Sequence, residues 1–193
     1  MESRVDEKIL DFINEVEKRK AKKDICNSPV KIGERYYEFE EREFFDERLK
    51  IYIPKDFGDM PMEVSDVKYS LESRPEIIKS NDDGSVVITL KIIDSPLDEE
   101  HVEELKNEMK IVTKETNPAN VFYGDGVLEV NSKNIGYFEF KSYSVDNYLY
   151  NLIYFFQFQG KTLMGTFICK HSDCEEWRDV VFNMLSTIKI LNK

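Results

Sequence analysis

Between Ile135 and Ile190 the apolar residues fall into four blocks, GYFEF, NLIYFFQF, TLMGTFIC and WRDVVFNMLSTIKI. The first three are short, aromatic and β-branched, and predict a meander of strands. In the fourth, Trp177, Val181, Met184, Leu185 and Ile188 recur at helical spacing and predict an amphipathic closing helix. The strands are expected over Ile135–Tyr143, Tyr148–Phe158 and Thr162–Cys169, with Val121–Val130 before them. Their short connections suit antiparallel neighbours. Ser172 with Glu175 has the spacing of a capping box for the last helix.

Upstream, Leu49, Ile51 and Ile53 alternate with Lys50 and Tyr52 in a strand that Pro54 ends. Residues 55–65, with Gly58 and Pro61, read as loop. Short strands are expected at Val67–Leu71 and Glu76–Lys79, then a turn at Asn81–Gly84 and a β-branched strand over Val86–Ile93. A helix follows, with Ser95 or Asp98 as its cap and Val102, Leu105, Met109 and Val112 on one face. It stops before Asn117 and Pro118.

Residues 1–23 carry Val5, Ile9, Phe12, Ile13 and Val16 on one helical stripe, and Asn27, Ser28 and Pro29 break the pattern. The expected organisation is therefore an N-terminal amphipathic helix and linker over 1–30 and a single domain over 31–193. The fold class is α+β, an antiparallel sheet flanked by helices.

At 193 residues, 41% hydrophobic and 34% charged, the chain has the size and composition of one globular domain. The longest apolar run, Leu152–Phe156, is far short of the roughly 20 residues a membrane span needs. The first fifteen residues are acidic, unlike an export leader, so a cytoplasmic location is expected. Three cysteines are too few for a disulfide framework. A net charge of −11 opposes binding to nucleic acid or an anionic membrane and leaves basic partners open. Of 27 basic and 38 acidic residues, seven and six lie in 1–23, so the remainder carries 20 and 32. Self-association through the basic-ended N-terminal helix is a further expectation.

The order from FFDERLKIYIPKDF through the long helix to EEWRDVVFNMLSTIKI resembles the PsbP-like α/β/α sandwich superfamily over residues 43–191. The matching features are an aromatic-rich first strand ending in Ile-Pro, the GYFEF strand, and a last helix whose Trp177 and Met184 enter the core. That superfamily includes the photosystem II extrinsic subunit, the Ran-binding Mog protein and many uncharacterised bacterial proteins. The resemblance implies a non-catalytic binding, adaptor or chaperone-like accessory role, with another protein as partner and no cofactor.

The densest chemistry is Cys169, His171, Asp173 and Cys174. Two thiols and an imidazole within six residues could begin a zinc site or a thiol-dependent enzyme centre. Against this, Cys169 shares strand parity with Leu163 and Phe167 and should point into the core, while Asp173, Glu175 and Glu176 disfavour a thiolate at Cys174. His101 needs only a surface role. Gly124 and Gly126 precede a strand rather than a helix, so a turn or bulge explains them better than a dinucleotide loop. The acids Glu99 to Glu108 read as a solvated helix face.

The aromatic strand carries the remaining candidates. Tyr148, Tyr150, Tyr154, Phe156 and Phe158 share one parity, and Leu149, Ile153 and Phe155 the other, so most of the strand is core. At its start, Tyr143, Tyr148 and Tyr150 flank a turn where tyrosine rings can meet a partner, and Tyr36 and Tyr37 form a similar group. These five tyrosines are the expected partner-binding residues. The alternative is a metal- or thiol-dependent enzyme centred on Cys169, His171 and Cys174.

Overall fold

The computed structural model describes residues 24–69, 73–144 and 147–191. The helix expected over 1–23 lies outside the described residues. A hairpin of β1 (Val30–Ile32) and β2 (Arg35–Tyr37) turns on Gly33, whose φ of 62° suits glycine. It leads into β3 (Phe39–Phe44), β4 (Leu49–Pro54) and the two-residue β5 (Gly58–Asp59). Helix α1 (Met62–Lys68), β6 (Ile77–Ser80) and β7 (Val87–Pro96) follow. A single 3-10 turn, Glu99–His101, then opens into α2 (Val102–Thr116). The long strands β8 (Val121–Val130), β9 (Lys133–Tyr143), β10 (Tyr148–Phe158) and β11 (Lys161–Lys170) form the meander, closed by α3 (Cys174–Ser186) and a short β12 (Lys189–Ile190).

Seven strands make one antiparallel sheet in the order β5-β6-β7-β11-β10-β9-β8, and β12-β4-β3 make a second. One face of the large sheet packs Phe138, Phe140 and Phe155 against Leu105 and Met109 of α2. The other face packs Tyr150, Leu152, Tyr154, Phe156 and Phe167 against the small sheet, the β1–β2 hairpin and α3. Trp177, Val180, Val181, Met184 and Leu185 of α3 are all buried there. At roughly 2 kcal/mol for each such side chain, this one stripe contributes about 10 kcal/mol before chain entropy is charged against it. Both parities of β10 are thus covered, and the α+β class and the long strands stand as expected.

Several local expectations fail for physical reasons. Helix α1 occupies part of the span read as loop and the start of the strand expected at Val67–Leu71, whose Leu71 lies outside the described residues. Met62, Val64 and Val67 are all exposed on it, so no apolar stripe marks it. Ser95 belongs to β7, and Asp98 makes no side-chain capping bond. In α2, Val112 is half exposed whereas Lys106 is buried. The lysine stem lies over β9 at Gly136, where an added Cβ would stand 3.0 Å from Lys106 Cβ and from the Val102 carbonyl oxygen. Lysine's methylenes fill that apolar contact while its ammonium reaches Asp125. The capping box also fails: Ser172 Oγ donates to Asp173 Oδ1 at 2.6 Å, and a 3-10 turn over His171–Asp173 precedes the helix. Finally, Ile25 and Val30 belong to the main core, so the folded body reaches back into the span expected to be arm and linker.

Candidate functional site

Strands β9 and β10 place Glu139 opposite Leu152, on the face that carries α3. A carboxylate there is surrounded by core, and Glu139 is fully buried. Three donors satisfy it. Arg178 of α3 gives Nε to Oε2 at 2.7 Å and Nη2 to Oε1 at 2.8 Å, and the Tyr150 hydroxyl donates to Oε2 at 2.6 Å. A planar guanidinium suits this two-pronged geometry. Burial, and then the bond to Glu139, push the Tyr150 phenol far above its ordinary range, so it remains a donor. The bond to Glu139 likewise raises Arg178.

Room for this carboxylate comes from β8. The β8–β9 register shifts between Phe122 and Asp125, the bulge that Gly124 and Gly126 led us to expect. A Cβ on Gly124 would stand 3.0 Å from Glu139 Oε1. Above Gly124 opens a cleft of about 650 Å³ between β8 and the start of α3. It is lined by Tyr123 and His171, whose hydroxyl and Nε2 are 2.6 Å apart, and by Cys174, Glu175 and Arg178. Tyr150 lies in the floor.

Cys174 is held as a thiol. Burial first, then the charge of Glu139, push it up to about 11, with Arg178 acting in the opposite sense. Cys169 points away into the core, where burial raises its thiol also, and it does not line the cleft. The trio Cys169, His171 and Cys174 therefore does not converge, because the parity of β11 turns Cys169 inward. Among the described residues no group of three or more His, Cys, Asp and Glu side chains is placed to hold a metal ion.

Beyond α3 the same sheet face is uncovered. Tyr143 and Tyr148 are paired across β9 and β10 and are 54% and 48% exposed, with ring centroids 4.8 Å apart, edge to face. Lys141 Nζ sits 4.9 Å from the Tyr148 ring centroid. Val121 pairs with Lys141, so it shares this face, and both Val121 and Tyr123 are exposed. The result is a shelf of exposed apolar side chains that runs into the cleft.

Of the five tyrosines expected to meet a partner, Tyr143 and Tyr148 sit together on this shelf. Tyr150 does not, because it is fully buried and spends its hydroxyl on Glu139. Tyr37 is buried too, its ring 5.2 Å from that of Trp177, while Tyr36 is exposed beside a separate pocket with Arg35, Lys55 and Asp56. Sequence reasoning missed Glu139, Arg178 and Tyr123. The available signal was the acid inside GYFEF, at a position whose parity it shares with Tyr137.

No family model matches the chain, and no curated protein matches it. Solved structures do. Cyanobacterial PsbP (CyanoP) from Synechocystis sp. PCC 6803 superposes with a TM-score of 0.60 at 8% identity, over 86% of this chain and 99% of that one. A protein from Bacteroides thetaiotaomicron VPI-5482 superposes with a TM-score of 0.50 at 7% identity, over 79% of this chain and 48% of that one. The superposition on the cyanobacterial protein shows that the chain has a PsbP-like fold.

Proposed function

We propose that the protein is a non-catalytic accessory protein, an adaptor or chaperone-like subunit that holds another protein on the face beyond α3. The carrying observation is the continuity of the Tyr143–Tyr148 shelf with the cleft at Tyr123 and His171. Exposed aromatic clusters rimmed by polar groups are characteristic of binding surfaces. Glu139, with all its bonds made to Arg178 and Tyr150, supports a rigid platform better than a proton-transfer role. The raised Cys174 thiol is the reverse of what a nucleophile needs. Three free cysteines fit a reducing compartment, which supports a cytoplasmic setting. Among the described residues no helix is long and apolar enough to cross a membrane.

The test is affinity capture from native lysate with the full chain and with a Tyr143→Ser/Tyr148→Ser variant. A partner recovered in stoichiometric amount by the parent and lost by the variant, at unchanged melting temperature, is expected. Equal recovery by both, or no stoichiometric partner across several growth states, overturns the proposal.

A further inference from the structure

The charges around the cleft say what kind of side chain it fits. Arg178 is the one permanent cation among the residues that line it, beside the His171 imidazole bonded to Tyr123, and its guanidinium is committed bidentately to Glu139, so that pair is neutral as a unit. Glu175 remains. Its carboxylate is exposed at the cleft wall, and no hydrogen bond or ion pair engages it among the described residues. An acid in the first turn of a helix also has an ordinary role, favouring the helix dipole. That role does not require the residue to border a cavity. The Cys174 thiol, raised first by burial, is raised further by the charges of Glu139 and Glu175 and lowered by Arg178.

The exposed Tyr123 ring, bonded through its hydroxyl to His171, also lines the cleft. An aromatic ring and a carboxylate lining one cleft both attract a cation, the first through its π-system and the second through charge. The cleft therefore combines an apolar wall for a long aliphatic stem with a negative rim for its charged head, the amphipathic pattern of lysine and arginine. An anionic group would meet Glu175, and the one guanidinium lining the cleft already carries a carboxylate partner. The chain's net charge of −11 acts in the same direction at long range.

We infer that this cleft receives a basic side chain, a lysine or arginine, presented by the bound partner. The inference rests on the binding reading above and specifies its chemistry. Nα-acetyl-arginine methylamide and the lysine equivalent, titrated into the isotopically labelled full chain, should shift the Tyr123, Gly124, Cys174 and Glu175 amides saturably, with dissociation constants in the millimolar range. The norleucine and glutamate equivalents, neutral and acidic, should bind at least about fivefold more weakly, as should the basic probes to Glu175→Gln and Tyr123→Leu. Glu175 is exposed, so its variant should fold normally.

Equal shifts from norleucine, preference for the glutamate probe, or basic probes that leave these amides unmoved would overturn the inference. The two readings fail separately. Capture that depends on Tyr143 and Tyr148 but is indifferent to Glu175→Gln, with no probe binding, sinks the basic-residue pocket alone, whereas absence of any partner sinks the binding reading.

Discussion

Arg178 on the last helix closes on the fully buried carboxylate of Glu139 through two parallel bonds, 2.7 and 2.8 Å long. The pair joins α3 to β9, one strand in from the edge of the large sheet, beside the cleft. Its energetic asymmetry matters more than its sum, because removing Arg178 strands the Glu139 carboxylate where water cannot reach it.

Replacement of Arg178 by leucine is therefore expected to destabilise the fold by about 3 kcal/mol near neutral pH. Urea unfolding at about pH 7 checks this in the single variant and in the double replacement Arg178→Leu/Glu139→Leu, which strands no charge; an equal cost in both would show that Arg178 acts through packing alone.

A second expectation concerns Gly165 on β11. A Cβ built there would stand 2.0 Å from Tyr154 Cζ and 2.3 Å from its hydroxyl oxygen, so the ring lies across the bare backbone of the next strand. Gly165→Ala should cost at least about 2 kcal/mol through overpacking. Adding Tyr154→Leu should recover part of that loss, which a double-mutant cycle of melting temperatures measures. Strict additivity would place the strain elsewhere.

These two sites show which parts of the fold were legible. The inward parity of Tyr154, Phe156 and Cys169, and the stripe from Trp177 to Ile188 on α3, follow from period alone, because each side chain lands in a layer that excludes water. Glu139 shares that parity but defeats the rule, since its burial depends on Arg178, distant in the chain and reaching it only after α3 has docked. Helix α1 carried no periodic signal because its apolar residues face solvent. Tyr150 was misplaced by one step of burial: the uncovered shelf begins at Tyr148, and where α3 stops is a tertiary fact. The aromatic candidates Tyr143 and Tyr148 were recognisable because they flank a turn.

Asp125 presents a third case. It accepts from both Lys106 and Lys110, and those bonds, Lys106 first, hold its carboxyl below the ordinary value of 3.8. A depressed folded value means that the contribution is complete above the unfolded one and disappears as pH falls through the folded one. Asp125→Asn should therefore lower the melting temperature at neutral pH, by the equivalent of about 3 kcal/mol, since it leaves the buried Lys106 ammonium without a counter-charge. It should also flatten the acid limb of the stability profile below about pH 4. A variant whose acid limb matched the parent's would assign that limb to other carboxylates.

Cys174 offers the sharpest chemical check. Its thiol is pushed up to about 11, so only a small fraction is thiolate at neutral pH, although the residue borders an open cleft. In a Cys26→Ser background, alkylation by iodoacetamide near neutral pH should run at least about tenfold slower than for a model peptide thiol, whose value lies near 8.5, and should climb with pH toward 11. Cys169, fully buried, should stay unmodified while the fold persists. Glu139→Gln removes the largest charge that raises the Cys174 thiol, so it should move the midpoint of the alkylation profile downward. Fast alkylation at neutral pH in the parent chain would mean that the thiolate is populated, and would put the alternative, a thiol-dependent activity, ahead for this cleft.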